Sequence, residues 1–249
     1  MEAPSILRNV LAEGSTVRVV ADGIWSTDAE ATSHQVYDRH AALYDWLIGN
    51  KLYNRLAWGT SPASYARFAE QAVRFGHGPL LDGGCGSLVS TAELHIRSAR
   101  PTILCDLSLG MLEAARKRVM DIAGTMPEHL VFVQADLRHL PFKDGAFGSI
   151  LCPGMLHIFD DVEIVTAELA RVASGNAQLF MSSLVAERWL GTRYLSALHR
   201  AGEVATPRTS IQLLRRLKMP SAGLEASPGR VLEGSMLFIT AEPRQPRGC

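Results

Sequence analysis

Three aspartates stand at the ends of three successive apolar runs: Asp82 after Leu80-Leu81, Asp106 after Thr102–Cys105, and Asp136 after Leu130–Ala135. Directly after the first comes Gly83-Gly84-Cys85-Gly86. Glycine lets a backbone turn tightly and approach a ligand with no Cβ in the way. A carboxylate at a strand end can face a ligand ammonium or accept hydrogen bonds from both hydroxyls of a ribose. Asp106 follows Asp82 by 106 − 82 = 24 residues, close to the spacing of about 20 at which a ribose-binding acid follows a glycine loop one βα unit later. Each feature alone has a plain structural reading, as a tight βα turn or a capping aspartate. Three acids along one sheet edge are poorly explained by capping alone.

The loop also argues against one ligand class. A dinucleotide fingerprint needs Gly-x-Gly-x-x-Gly, and the third position counted from Gly84 and Gly86 is Val89. No Tyr-x-x-x-Lys pair occurs in the chain. A nicotinamide oxidoreductase, with its pyrophosphate on a helix N-terminus, is therefore disfavoured against an adenosine ligand without phosphates.

The elements that must position these residues follow from periodicity. Candidate strands are Leu80–Asp82, Thr102–Asp106, Leu130–Ala135, Gly148–Pro153 and Ala177–Ser183, with helices near 87–98, 108–121 and 161–173 between them. Alternating strands and helices predict an α/β fold, a Rossmann-like doubly wound sheet covered on both faces. Asp160 and Glu163 suggest a capping box for the last of these helices. Ser61-Pro62 and Thr206-Pro207 read as N-cap and first-turn proline. Glu187–Arg200 reads as a helix, and Val231–Leu232 with Met236–Ala241 as a closing strand pair. Ahead of the sheet, Tyr37, Ala41, Tyr44 and Leu47 recur at helical spacing. The organisation predicted is an N-terminal arm and helical lid over 1–76 and a ligand-binding core over 77–249, in one compact domain.

Composition narrows the function. Lys+Arg and Asp+Glu are both 25, a formal net charge of +0, without the basic surplus that nucleic-acid binding usually needs. Four cysteines with no Cys-x-x-Cys pair predict no zinc site and reduced thiols in a cytoplasmic protein. No uncharged apolar run reaches the ~20 residues of a membrane span, and no signal peptide is apparent.

With these residues in hand, the chain resembles the class I S-adenosylmethionine-dependent methyltransferases, in particular those acting on quinones and other small molecules. Leu80–Gly86 resembles their first motif, and Leu104-Cys105-Asp106-Leu107-Ser108-Leu109-Gly110-Met111-Leu112 their second strand and following helix. Asp136, Leu140-Pro141-Phe142 and Phe147 resemble the run into strand four. Met155-Leu156-His157 and Glu168-Leu169-Ala170-Arg171-Val172 resemble the next helix, and Gly175 the turn into strand five. The resemblance covers about residues 79–183.

It implies that Asp82, Gly83, Gly84, Cys85 and Gly86 line the methionine end of S-adenosylmethionine. Asp106 would hold the ribose, with Leu107 and Met111 flanking the adenine. Asp136 would meet the adenine amino group, between Ala135 and Leu137, and Pro153 and Gly154 would face the methyl region. It also implies an antiparallel last strand. Tyr37-Asp38 and Tyr44-Asp45 resemble paired Tyr-Asp elements on a covering helix, from which Tyr37 or Tyr44 would close over the cofactor. Two positions depart from the family: its third loop glycine is Leu88 here, and its Phe-Asp before strand four is Phe147-Gly148.

In such an enzyme the cofactor carries the reactive group and the protein supplies position and electrostatics. An oxygen or carbon acceptor can need a base. His157, near the expected methyl position, is the leading candidate, ahead of His34 and His40; a structural histidine at a helix start is its plain alternative. The expected partner is a small-molecule methyl acceptor, with no nucleic acid and no membrane span, and S-adenosyl-L-homocysteine as product. The expected assembly is a monomer or homodimer, and no metal is expected. The competing reading is a non-catalytic or repurposed S-adenosylmethionine-binding protein of the same fold, supported only by Leu88 and Gly148.

Overall fold

The computed structural model describes residues 2–27, 61–225 and 229–244. Tyr37, Tyr44, His34, His40 and the predicted lid helix lie outside these residues. Among the described residues nine strands form one sheet: β1 (Arg18–Ala21), β2 (Ile24–Ser26), β3 (Leu80–Gly83), β4 (Thr102–Asp106), β5 (Leu130–Gln134), β6 (Phe147–Cys152), β7 (Ala173–Leu184), β8 (Gly229–Glu233) and β9 (Met236–Ala241). Their order is β1-β2-β5-β4-β3-β6-β7-β9-β8. The run from β5 to β7 is parallel, and β9 pairs antiparallel with both β7 and β8.

Among the described residues the α-helices are α1 (Ser5–Val10), α2 (Pro62–Arg74), α3 (Ala92–Ser98), α4 (Leu109–Ala123), α5 (Val162–Val172), α6 (Trp189–Arg200) and α7 (Ser210–Leu217). β3, β4 and β5 are apolar nearly throughout because helices cover both their faces. Leu81, Ile103, Val131 and Ile150 lie in one core cluster, while Leu80 and Leu151, pointing the other way, join Phe68 and Ala72 of α2 in a second. The alternation of period two thus assigns successive strand residues to opposite layers.

Several expectations are corrected. The described N-terminal residues do not stand apart as an arm. β2 pairs in parallel with β5, β1 hairpins back onto it, and Leu7, Val10 and Trp25 are buried in the main core. The helix expected from 87 begins at Ala92, because Leu88 sits at φ 57°, in the left-handed region that a right-handed helix cannot contain. The capping box at Asp160 and Glu163 does not form. Asp161 is the N-cap and makes no side-chain cap bond, while Glu163 pairs with Arg216. The helix expected from Thr206-Pro207 starts at Ser210, where Thr209 and Gln212 make the reciprocal capping box. Ser61 does cap α2, its hydroxyl accepting from the Ser64 amide.

Gly148 has a steric explanation. A Cβ there would fall 1.6 Å from the His77 carbonyl oxygen and 2.7 Å from its carbon. The loop leading into β3 presses on β6 so closely that no larger residue fits, the family's aspartate included.

Candidate functional site

Sheet order reverses between β3 and β6, since the chain moves outward from β3 through β4 and β5 on one side and through β6 and β7 on the other. Loops diverge at such a point and leave a crevice at the carboxyl ends of the strands. A cavity of about 340 Å³ opens there. Its walls come from the loop Gly84–Thr91 after β3, Asp106–Ser108 and Met111 after β4, Asp136–Arg138 after β5, and Pro153–Met155 and His157–Phe159 after β6. Tyr65 of α2, Leu184 and Met236 complete it. Four segments far apart in sequence are gathered because every strand of the parallel run ends at this edge.

The glycine loop is held by the neighbouring strand. The amides of Gly84 and Cys85 both donate to the Cys105 carbonyl, at 2.8 and 3.0 Å. Asp106 fastens the loop's far side. Its Oδ2 accepts from the Gly86 amide at 2.8 Å and its Oδ1 from the Ser108 amide at 2.9 Å. Each oxygen keeps a further lone pair, and the residue lines the cavity. Burial pushes the Asp106 carboxyl above its ordinary value, against the pull of the backbone amides at Ser108 and Gly86.

The glycines have separate reasons. Gly84 adopts φ 72°, and a Cβ on it would lie 2.5 Å from the Met155 sulfur, so only glycine fits beneath that side chain. Gly86 adopts φ 55° and a Cβ there would meet nothing within 4 Å, which leaves its backbone open to a ligand. Leu88 carries the same left-handed backbone without the excuse of being glycine. At 2% exposure it packs with Ile24, Leu104 and Phe132 in a third core cluster while bordering the cavity. That conformation costs about 1–2 kcal/mol, and burial of the leucyl group, about 1.5–3 kcal/mol, offsets it.

Asp136 lies on the wall and accepts from the Arg138 amide at 2.9 Å. The Arg138 guanidinium stands 3.7 Å from Asp136, bridges to Asp161 at 2.8 and 3.2 Å, and lies 4.8 Å from the Phe159 ring centroid. One cation thus ties the loop after β5 to the start of α5, and it holds the Asp161 carboxyl below the ordinary value.

His157 borders the cavity, but its Nδ1 accepts from the Leu184 amide at 3.3 Å. The proton of the neutral ring therefore sits on Nε2, and burial with nearby Arg208 lowers its pKa to about 4. In this arrangement the ring's accepting nitrogen is already in use, which counts against the general-base expectation.

Of the remaining predicted residues, Gly84, Cys85, Gly86, Asp106, Leu107, Met111, Asp136, Leu137, Pro153 and Gly154 share the cavity wall. Asp82, Gly83 and Ala135 lie behind it. Asp82 is 0% exposed, and its Oδ2 is 2.8 Å from Nε2 of His95, itself 0% exposed. Burial pushes the Cys85 thiol up, which disfavours the thiolate form. Met155, from the Met155-Leu156-His157 motif, also lines the cavity, as do Tyr65, Phe159 and Met236, which carry no local motif that sequence reasoning could have used. Arg138, two residues after Asp136, had a signal in its place.

Comparison with known proteins agrees with this geometry. A family model described as a methyltransferase domain matches residues 81–181. A ubiquinone/menaquinone biosynthesis C-methyltransferase of Cellvibrio japonicus is 31% identical over 152 residues, which is 59% of this chain and 57% of the relative. A malonyl-[acyl-carrier protein] O-methyltransferase of Legionella pneumophila is 28% identical over 157 residues, 60% of this chain and 49% of its own. The chain thus spans about half the length of the curated relatives it matches. Among solved structures, the geranyl diphosphate C-methyltransferase of Streptomyces coelicolor, in complex with Mg2+, geranyl diphosphate and S-adenosyl-L-homocysteine, superimposes with a TM-score of 0.56 at 15% identity. The match covers 73% of this chain and 77% of that one, a likeness of fold.

Proposed function

We propose that this chain, whose residues 81–181 match a methyltransferase-domain family model, is a class I S-adenosylmethionine-dependent methyltransferase that methylates a small molecule held in the cavity between β3 and β6. The observation that carries the reading is Asp106, a half-buried carboxylate that pins the Gly86 amide while facing a cavity of about 340 Å³. That volume lies within the range of about 300–1,000 Å³ usual for ligand pockets.

S-adenosylmethionine, when bound, supplies a sulfonium methyl group for in-line displacement. The residues present fit it. The open backbone at Gly86 and the spare lone pairs of Asp106 suit a ribose, and Leu107, Met111 and Leu137 offer apolar faces for an adenine. Asp136 can accept from an exocyclic amino group, its direction held by the Arg138 amide. On the methyl side, Ser182 fixes the turn after β6, its hydroxyl accepting from the Gly154 amide at 2.7 Å and its carbonyl from Met155 at 3.2 Å.

The walls that would face an acceptor, with Tyr65, Met155, Ile158, Phe159, Leu184 and Met236, are mostly apolar. His157 is held neutral with Nδ1 occupied, so its Nε2 donates and does not take a proton. Among the described residues this favours an acceptor whose reacting atom is nucleophilic without help from His157, brought into line by apolar contacts. The quinone and carrier-linked acyl substrates named for the relatives mark the classes to screen first.

Calorimetric titration with S-adenosylmethionine, S-adenosylhomocysteine and NADH tests the cofactor. Micromolar binding of both adenosyl ligands, lost in Asp106→Ala, is expected; binding of NADH alone, or of none of the three, overturns the reading. Mass-spectrometric methyl uptake over a panel of quinols, phenols, thiols and thioesters then tests turnover. Cofactor binding without transfer to any of them would support the non-catalytic alternative.

A further inference from the structure

A second concavity, of about 480 Å³, shares no residue with the cofactor cavity and lies between α7 and the edge hairpin β8–β9. Register places Arg230 opposite Ile239 and Leu232 opposite Leu237, so these side chains share the sheet face on which Leu213, Leu214 and Leu217 of α7 pack with Leu237 and Ile239. α7 covers that face only in part. Ile211 stays 63% exposed and Leu232 46% exposed, and together with Leu214 and Leu237 they make an apolar lining.

Cations line both banks. Arg215 and Lys218 stand on the α7 side and Arg230 on the β8 side. From 204 to 224 there is no acidic residue, although Arg208, Arg215, Arg216 and Lys218 fall in that stretch. Two of the four are used internally: Arg216 binds Glu163, and Arg208 binds the Phe159 carbonyl. Arg215, Lys218 and Arg230 have no acidic partner among the described residues. In a chain of formal net charge +0, three cations without an acidic partner among the described residues around one apolar slot are a local departure.

We propose that this groove docks an acidic amphipathic helix of a partner protein. An apolar stripe at i, i+3, i+4 and i+7 would enter the slot, and carboxylates on the two flanks would meet Arg215 and Lys218 on one bank and Arg230 on the other. The concave form favours a helix over a bilayer, because interfacial membrane binders present an apolar face that enters the lipid, and here the apolar residues line a depression. The inference does not depend on the methyl-transfer reading, since the two concavities are separate.

The test uses the full chain and a fluorescein-labelled peptide of about 16 residues, with leucines at helical spacing and glutamates elsewhere. Its controls are a scrambled peptide of the same composition and vesicles containing anionic phospholipid. Anisotropy should report saturable binding of the patterned peptide only, weakened at least about tenfold by the combined Arg215→Glu, Lys218→Glu and Arg230→Glu substitutions and by raised salt. Adenosyl-ligand binding should be unchanged in that variant. Ile211→Ser, at an exposed position, should also weaken the peptide and keeps the test readable if the charge-reversed chain does not fold. No binding, equal binding of the scrambled peptide, indifference to these substitutions, or capture by vesicles without peptide binding would each overturn the proposal.

Discussion

Alanine at position 148 should cost far more than an ordinary glycine replacement, and the amount can be worked from the contacts. The new Cβ would lie 1.6 Å from the His77 carbonyl oxygen, against roughly 3.5–4.0 Å for comfortable heavy-atom packing. The obstacle is backbone, so no rotamer change relieves it. Either the loop at Gly76–Pro79 or β6 must move by more than an ångström. Two bonds cross that contact, from the Gly148 amide to the Pro79 carbonyl at 2.9 Å and from the Ser149 hydroxyl to the Ala72 carbonyl at 2.8 Å. Overpacking of about 3 kcal/mol plus about 1 kcal/mol for each weakened bond gives about 4–5 kcal/mol. For a chain of this size that corresponds to a fall in Tm of about 8–20 °C. Gly202→Ala is the matched control. Gly202 has φ 77° and would meet nothing within 4 Å, so only the left-handed strain of about 1–2 kcal/mol applies. Thermal unfolding followed by circular dichroism compares the two. A Gly148→Ala chain that melts within a few degrees of the parent, or loses less than Gly202→Ala, would refute the steric account and leave the missing aspartate unexplained.

Asp106→Asn should weaken S-adenosylhomocysteine binding about 10–100-fold by calorimetry, the range expected when a charged acceptor becomes neutral. The raised Asp106 pKa means that the carboxylate is lost at a higher pH than for a free side chain. Affinity should therefore fall as pH drops through that raised value. The stability linkage has the opposite sense, being full below the unfolded pKa and lost as pH rises through the folded one. His157, lowered from 6.5 to about 4, stabilises the fold while neutral. That contribution is present above pH 6.5 and is lost as pH falls toward 4. His157→Gln should flatten the urea midpoint across that window, and a slope unchanged by the substitution would assign it to other groups. His95→Ala leaves Asp82 buried without its partner and should cost about 3–5 kcal/mol in urea unfolding. Adding Asp82→Asn should recover part of the loss, and strictly additive losses would show that the two side chains do not act as a pair.

Much of the cavity was legible in the linear chain. The apolar runs at Leu80, Thr102, Leu130 and Gly148, their terminal acids and the glycine loop are local patterns, and local patterns report strands, turns and the edge at which strands end. Asp106, Leu107, Met111, Asp136 and Pro153 reach the cavity wall for that reason. The same logic failed wherever a residue's conformation or partner is set by a distant segment. Leu88 delays α3 by five residues because its side chain is held in a cluster with Ile24 and Phe132. Asp82 faces His95 instead of the cavity because α3 packs behind the loop. Nδ1 of His157 is taken up by the amide of Leu184, 27 residues away.

Residues 5–26 show the division most plainly. Ile6–Leu11 reads as a short helix and forms one at Ser5–Val10, but Gly14 and Gly23 interrupt any longer pattern, and only pairing with β5 makes Ile24–Ser26 a strand and buries Trp25. Across residues 80–184 the sequence by itself determined most of the strands and helices and which residues stand at strand ends, because steric and hydrophobic periodicity act between near neighbours. Tertiary structure alone decided which acid opens to the cavity, that the Leu184 amide occupies Nδ1 of His157, why Gly148 admits no side chain, and where three cations without an acidic partner among the described residues meet an apolar groove. Each of those depends on a contact between residues that the chain keeps far apart.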